Sequence, residues 1–292
     1  MSTEYSPEKV AVCMTGTLYI VATPIGNLGD ITPRAVEVLK QVDLIAAEDT
    51  RHSQRLLSHL GISTRMQAYH EHNEEYQADK LIARLQQGDS IAVISDAGTP
   101  LVSDPGYRLL DRAHECNIRV VPVPGACAAI AAMSVAGLPT DRFSFEGFPP
   151  AKQAARLSYL QPLKEETRTM VFYISCHRIG ETLMDMKSVF GEQRLATFAR
   201  ELTKTYETIR KATLDELCTW VAEDAMQHKG EIVLVVSGSV KEKSAHPLRD
   251  EILAVLVDEL PVKQASKIAS RITGINKNEL YEAALKLKNK DD

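Results

Sequence analysis

The 292-residue sequence contains no apolar run long enough to span a membrane, and its first residues lack the basic-then-apolar order of a secretory signal. Its five cysteines are far apart and form no CxxC pair, so neither a disulfide framework nor a zinc site is indicated. These absences predict a cytoplasmic protein with reduced, mostly buried cysteines and no membrane partner. The net charge of −5 argues against general electrostatic binding to nucleic acid but leaves room for a local basic face.

Familiar nucleotide-binding and hydrolase motifs are also missing. The first predicted strand is followed by TPIGNLGD instead of GxGxxG, and GxxxxGK[ST] occurs nowhere. The absence of GxSxG leaves covalent hydrolase chemistry without support. Any ligand must therefore be held by a less common loop arrangement.

Strand and helix patterns alternate through the first half of the chain. The apolar runs TLYIVAT, DLIAAE, RMQAY, SIAVISD and IRVVPV predict strands. Between them, Thr32 is placed to cap a helix that begins at Pro33, RLLSHLG predicts a helix ending at Gly61, and residues 74–88 have helical spacing. We also predict helices over 107–116 and 126–136. This alternation predicts a mainly parallel sheet covered on both faces.

After GLPTDRF the pattern changes to strand-rich sequence. FSFEGF, TMVFYIS, RLATFAR, YETIRKA and EIVLVVSG predict five strands, with helices at 151–161, 177–188 and 213–224. We therefore predict an α/β protein with an N-terminal α/β domain over 16–138 and an α+β domain over 139–240. Residues 1–15 are expected to be disordered, and a basic segment over 245–292 follows the polar linker SVKEKSAHP.

The C-terminal segment reverses the overall charge. Two amphipathic helices flank TGINKN, and residues 261–290 contain seven Lys or Arg but only two Glu. The pattern is compatible with a nucleic-acid-binding helix-turn-helix. It is equally compatible with an ordinary helical hairpin that has a solvated lysine face, and the residues alone leave both interpretations open.

Five loops rich in proline, glycine and polar residues are predicted at one edge of the parallel sheet. They are PIGNLGD, AEDTRHS, YHEHNE, SDAGTPLVSDPG and PGACAA, and all follow the carboxyl ends of predicted strands, where ligands bind in such sheets. Their prolines give rigid turns and their glycines allow close approach of the backbone. We expect a flat, adenosine-like ligand held by main-chain groups.

Two acidic or histidine-containing groups in these loops carry less weight. His70 and His72, on either side of Glu71, could together bind a metal ion. No third ligand lies at a recognisable spacing, so no metal site is predicted. Asp96 and Asp104 could form a carboxylate pair, but aspartate in such loops more often fixes a turn.

Several long motifs, in order, resemble the RsmI family. They are Thr23-Pro24-Ile25-Gly26-Asn27-Leu28, Ala47-Glu48-Asp49-Thr50-Arg51-His52, Ser95-Asp96-Ala97-Gly98-Thr99-Pro100-Leu101, Asp104-Pro105-Gly106, Val123-Pro124-Gly125, Arg200-Glu201-Leu202-Thr203-Lys204-Thr205 and Lys229-Gly230-Glu231. The resemblance implies a tetrapyrrole methylase-like (class III) methyltransferase with a two-domain fold. It further implies S-adenosylmethionine as cofactor and the ribose 2′-hydroxyl of a cytidine in 16S ribosomal RNA, free or in the small subunit, as substrate. The wider group also implies a homodimer.

The resemblance implies a cofactor site in the cleft between the two domains. Its residues would be Pro24, Gly26, Gly98, Thr99, Leu101, Val102, Ser103, Pro124, Gly125, Cys127, Ala128, Ala129, Tyr173, Arg200 and Leu202. Family members usually carry an acid after the FY of the second-domain strand, whereas this chain has Ile174, and Cys176 two residues later. No catalytic role is therefore placed at that position.

Methyl transfer to a ribose hydroxyl requires alignment of donor and acceptor and removal of a weakly acidic proton. Glu48, Asp49, His70, Glu201 and Lys229 are candidates for that task. We hypothesise that Asp49, Arg51 and Lys229 form the acceptor-side group. Two alternatives remain, a tetrapyrrole or other small-molecule methyltransferase and a non-enzymatic DNA-binding regulator.

Overall fold

The computed structural model describes residues 15–70, 73–103, 106–239 and 249–288. The prediction for the N-terminal 15 residues therefore falls almost wholly outside the described part of the chain. Two compact units meet in the sequence at Ser239. Within the described ranges, no helix is both long enough and apolar enough to cross a membrane.

The first sheet is fully parallel, as predicted. Its order is β3-β2-β4-β1-β5. The strands are β1 Thr17–Val21, β2 Leu44–Ala47, β3 Met66–Ala68, β4 Ile91–Ile94 and β5 Arg119–Val123. Every residue of β2 and β4 is buried, because helices cover both faces of these central strands.

Five helices connect or follow these strands. They are α1 Pro33–Gln41, α2 Thr50–His59, α3 Glu74–Gln86, α4 Tyr107–Glu115 and α5 Ala128–Val135. The Thr32 hydroxyl accepts a hydrogen bond from the Ala35 amide, so the predicted start of α1 is confirmed. Helix α2 begins earlier than predicted, because Asp49 caps it by accepting from the Arg51 amide.

The second sheet has the order β6-β7-β10-β8-β9 and confirms the five strands and three helices predicted there. Only β6 and β7 pair in parallel; the other pairs are antiparallel. The strands are β6 Phe143–Gly147, β7 Thr169–Ser175, β8 Leu195–Arg200, β9 Thr208–Thr213 and β10 Glu231–Val236, and the helices are α6 Gln153–Leu160, α7 Ile179–Phe190 and α8 Leu214–Glu223.

The two faces of the second sheet have different partners. One face packs against α6, α7 and α8 in a large apolar core that includes Phe172 and Phe198. The other face, with Val171 and Val233, packs against Ala132 of α5, the helix that follows the parallel sheet. Helix α5 therefore joins the two sheets into one body.

The described part of the second compact unit, residues 249–288, contains three helices, α9 Arg249–Glu259, α10 Val262–Thr273 and α11 Lys277–Lys288. The predicted helices on either side of TGINKN are α10 and α11, and Gly274 ends α10 in the left-handed conformation, with φ of 71°. Helix α9 was not predicted. Its side chains complete a small core around Leu253, Ala269, Leu280 and Ala284.

Candidate active site

Three loops at the carboxyl edge of the parallel sheet are tied together by hydrogen bonds. Thr23 and Gly98 form an isolated bridge in which each amide donates to the other residue's carbonyl, over 2.8 and 3.1 Å. The Thr99 hydroxyl donates to the Ala126 carbonyl over 3.0 Å. The loops after β1, β4 and β5 therefore form one rigid floor, as the sequence predicted for this edge.

A cavity of about 550 Å³ lies over this floor and reaches the second sheet. This volume falls within the usual range for small-molecule sites. Its lining comes from the loop after β4, the start of α5, the end of β7 and the start of β10; the residues include Gly98, Thr99, Val102, Ser103, Cys127, Ala128, Tyr173 and Ile232. We call it the large cavity.

The loop after β4 has an unusual backbone. Gly98, Leu101 and Ser103 all have positive φ, at 81°, 73° and 72°. Such angles are unfavourable for Leu and Ser and tend to persist where function requires them. A Cβ at Gly98 would also lie 3.3 Å from the Ile25 side chain. The loop can thus turn main-chain groups toward a ligand at close range.

An aromatic cluster forms the wall opposite the loop. The Tyr173 hydroxyl accepts a hydrogen bond from the Ala129 amide over 3.2 Å. Phe145 and Phe148 meet the Tyr173 ring edge-on, with centroids 4.9 and 5.4 Å away. Phe148 also lines the large cavity although 58% of it is exposed. Sequence reasoning missed Phe148, and the phenylalanine-rich stretch FSFEGF was the available clue.

A buried arginine supports the loop that carries Phe148. The Arg156 side chain is almost fully buried, and its Nε donates to Asp185 over 2.7 Å. The same guanidinium donates to the Ala151 carbonyl, close in sequence to Phe148. Removal of one partner from such a buried pair is strongly destabilising, so Arg156 fixes this wall of the cavity. No local pattern in the sequence predicted this pairing.

The remaining predicted cofactor residues do not line the large cavity. Pro24 and Gly26 line a smaller cavity next to it. Leu101 and Leu202 pack in the apolar cores, and Ala129 contributes the amide bound by Tyr173. Gly125 packs so closely on Ala22 that a Cβ would collide, and Pro124 precedes it in the same turn. Arg200 is buried and donates to the carbonyls of Lys229 and Tyr206.

The structure does not bring Asp49, Arg51 and Lys229 together at the large cavity. Asp49 caps α2 and pairs with Arg51 over 3.3 Å; the hydrogen bonds from Arg51 lower the pKa of the Asp49 carboxyl. The Arg51 side chain is 91% exposed and borders a separate hollow beside Arg65. Lys229 is exposed, although its neighbour Gly230 lines the large cavity. Their catalytic role stays a prediction.

A charged cluster lies beside the smaller cavity, and its member Glu231 lines both cavities. Lys204 Nζ donates to Glu201 over 2.8 Å and to Glu231 over 3.0 Å. Burial opposes the charge on Lys204, but these hydrogen bonds raise its pKa overall. A Cβ at Gly26 would overlap the Lys204 side chain, so glycine is required there. Glu201 and Thr203, in the same turn, have φ of 52° and 67°.

The smaller cavity, which we call the small cavity, has a volume of about 280 Å³. It shares Ile25, Asp96, Ala97 and Glu231 with the large cavity. The Asp96 carboxylate accepts from the Asp49 amide over 3.1 Å, so it ties the loop after β4 to the start of α2; a turn-fixing role within its own loop stays a prediction. Asp104, Glu71 and His72 lie outside the described residues. Among the residues that are described, no group of three His, Cys, Asp or Glu could hold a metal ion.

Solved structures with the same fold include a uroporphyrin-III-C-methyltransferase from Thermus thermophilus and a diphthine synthase. The TM-scores are 0.55 and 0.59, with 76% of this chain covered in both cases and 94% and 90% of the other chains. Sequence identity is only 20% and 14%, so these similarities establish the fold alone. Residues 17–218 match the model of the tetrapyrrole (corrin/porphyrin) methylases. Fold and site together define a methyltransferase of this class.

Relatives of higher sequence identity show to which family within this class the chain belongs. The ribosomal RNA small subunit methyltransferase I of Pseudomonas aeruginosa is 55% identical, with 94% of this chain and 99% of the relative aligned. The Escherichia coli O157:H7 protein of the same name is 54% identical over 92% and 95%. Residues 249–288 match the RsmI C-terminal HTH domain. The chain belongs to the ribosomal RNA small subunit methyltransferase I family, which confirms the resemblance seen in its motifs.

Proposed function

We propose that this protein transfers the methyl group of S-adenosylmethionine to the ribose 2′-hydroxyl of a cytidine in 16S ribosomal RNA. The observation that carries the proposal is near full-length similarity, at more than 50% identity, to ribosomal RNA small subunit methyltransferases I. The large cavity supplies a site of suitable size for the cofactor. The alternative of a tetrapyrrole substrate is supported by the fold and by the match to the tetrapyrrole methylase model, but not by the relatives above 50% identity. The regulator alternative does not explain membership of an enzyme family.

The large cavity suits S-adenosylmethionine in size and chemistry. We propose that the strained loop from Gly98 to Ser103 holds the methionine and ribose portions, and that Cys127 and Ala128 approach the adenosine. Tyr173 closes the opposite side. Pro24, Gly26, Leu101, Pro124, Gly125, Ala129, Arg200 and Leu202 support these groups from behind or from the small cavity. The cofactor supplies an electrophilic methyl group, and the chain's residues hold and align it.

The C-terminal unit supplies a basic surface that the acidic chain as a whole does not predict. Lys263, Lys267 and Arg271 are all exposed and are spaced four residues apart along α10, so they share one face. We propose that this face binds phosphates of the ribosomal RNA, since such contacts dominate nucleic-acid affinity. The expected homodimer also stays a proposal, to be measured by analytical ultracentrifugation.

The decisive test maps 2′-O-methylation on ribosomal RNA from cells that lack the protein. We expect one cytidine of 16S RNA to lose its methyl group, and purified protein with S-adenosylmethionine to restore it on RNA or small subunits. If ribosomal RNA methylation is unchanged in cells that lack the protein, and the purified protein transfers a methyl group to a tetrapyrrole, the proposal is overturned. In the same assay, Asp49→Ala or Lys229→Ala protein with normal single-turnover rates would remove that residue from the acceptor-side group.

A further inference from the structure

The small cavity adjoins the large cavity, where the cofactor is proposed to bind, and two of the proposed supporting residues, Pro24 and Gly26, line it. We propose that the small cavity binds the acceptor nucleotide, with Glu231 accepting a hydrogen bond from the ribose 2′-hydroxyl and Arg55 binding a flanking phosphate. This inference rests on the proposed function and specifies where its substrate binds.

The position of the small cavity fits an acceptor site. Its volume of about 280 Å³ is near the lower limit for small-molecule sites, which suits a single nucleotide unit better than an extended strand. Because Ile25, Ala97 and Glu231 line both cavities, groups bound in the two cavities lie against the same side chains. Two reactants must be held next to each other in this way for a direct transfer.

One side of the small cavity is apolar. Ile25, Leu28 and Leu56 line it, and Leu28 is 42% exposed although it is a large apolar residue in a loop. An exposed leucine in a concave site can pack against a flat ring. Single-stranded RNA bases are typically recognised by such packing, and this side therefore fits a nucleobase.

The outer side is cationic. His52 and Arg55 line the small cavity from α2, and both are exposed. Within the described residues, the Arg55 side chain makes no ion pair or hydrogen bond, unlike the Arg51 side chain, which is held by Asp49. A free guanidinium beside a nucleotide-sized cavity is suited to a phosphodiester, which it can bind through two parallel hydrogen bonds.

The side shared with the large cavity carries the hydroxyl-binding group. The Glu231 side chain is 74% exposed, while Lys204 Nζ holds its Oε2 at 3.0 Å. This contact fixes the carboxylate and leaves acceptor capacity for another donor. A ribose hydroxyl is such a donor, and its hydrogen bond to a charged group is stronger than one to a neutral group.

The inference is tested by binding of mononucleotides to the full-length protein without cofactor. Cytidine 5′-monophosphate and its 2′-deoxy form are titrated by ligand-observed NMR. We expect the ribose form to bind about tenfold more tightly, in line with one hydrogen bond to a charged group. In Glu231→Gln protein this ratio should fall to near one, whereas in the control Glu223→Gln, at an exposed residue of α8, it should persist. A ratio that survives in Glu231→Gln overturns the assignment.

Two further arms locate the nucleotide. Arg55→Ser should weaken binding of cytidine monophosphate at least fivefold, while Arg34→Ser, on the exposed side of α1, should not. Saturating S-adenosylhomocysteine should leave nucleotide binding in place; displacement would put the nucleotide in the large cavity and overturn the inference. Affinity for S-adenosylhomocysteine within twofold of wild type shows that each variant is folded.

Methylation of small ribosomal subunits, measured in parallel, distinguishes failure of the proposed function from failure of the small-cavity assignment. If the wild-type protein methylates no ribosomal RNA, the proposed function fails and this inference fails with it. If the wild type is active but hydroxyl-dependent binding does not depend on Glu231, only the inference fails. We expect Arg55→Ser to raise KM for the RNA several-fold with little change in kcat, since a phosphate contact adds uniform binding.

Discussion

The body up to Ser239 and the C-terminal unit differ in the kind of binding surface that they form. The body builds concave sites from strained loops and buried polar contacts, such as the positive φ angles near Gly98 and the Arg156–Asp185 pair. The described C-terminal helices have a small apolar core and exposed cations. Precise placement of a small ligand requires rigid loops and buried polar contacts such as those of the body. Attraction of a polyanion requires only exposed charge.

This contrast implies that cofactor binding and RNA binding can be disturbed separately. Cofactor affinity should depend on backbone geometry that tolerates almost no change. RNA affinity should depend on the sum of many weak contacts and should vary with salt.

The largest effect is expected from Gly98→Val. A side chain at φ of 81° strains the loop, and its Cβ would press on Ile25. We expect affinity for S-adenosylmethionine to fall at least 100-fold by calorimetry, with affinity for small subunits nearly unchanged. The matched control is Gly61→Val, which has similar strain at φ of 64° but no atom within 4 Å of the added Cβ. If both variants lose cofactor affinity equally, the loop has no special role.

A smaller and graded effect is expected from the triple change Lys263→Glu, Lys267→Glu and Arg271→Glu. Loss of three phosphate contacts should weaken RNA binding and reduce the slope of log K against log salt by about 2 to 3. Cofactor affinity should stay within twofold. Lys40→Glu, on an exposed position of α1, serves as the control.

Truncation after about residue 244 extends this test. We expect strong loss of RNA binding and nearly intact cofactor binding in the shortened protein. Equal loss of both activities would instead support a purely structural role for the C-terminal helices and would contradict the separation.

The smallest effect concerns acid stability of the body. Hydrogen bonds from the Arg168 side chain and amide lower the pKa of Glu166 to about 2. Because this pKa is depressed in the folded state, the stabilisation is present above pH 4.5 and is lost as the pH falls toward 2. Glu166→Gln should lower Tm by a few degrees at most near pH 7, since the pair is partly exposed.

The difference between wild type and Glu166→Gln should shrink as the pH is lowered to 2, as followed by calorimetry. Unfolding of the C-terminal helices should show no such dependence on Glu166. A constant difference across this pH range would mean that the charge of Glu166 makes no contribution to stability.

Periodicity in the sequence was enough to predict most of the fold, with specific exceptions. The start of α2 was missed because it depends on a cap by Asp49 and not on apolar spacing. Helix α9 was missed because its apolar residues, Ile252 to Val257, run consecutively and show no helical period. No local sequence pattern predicted that α5 packs on the second sheet.

The sequence by itself determined the strands and helices, the loops at one sheet edge and the family, because each depends on neighbouring residues or ordered motifs. Tertiary structure alone decided which charged groups meet at the cavities. Asn27 donates to Thr203 from 176 positions away, and Lys204 holds Glu231 across 27 positions. Such contacts follow from sheet register and side-chain packing, which no local pattern encodes. The sequence could therefore place Asp49 and Arg51 in one loop, whereas only the fold brings Lys204 to Glu231 at the small cavity.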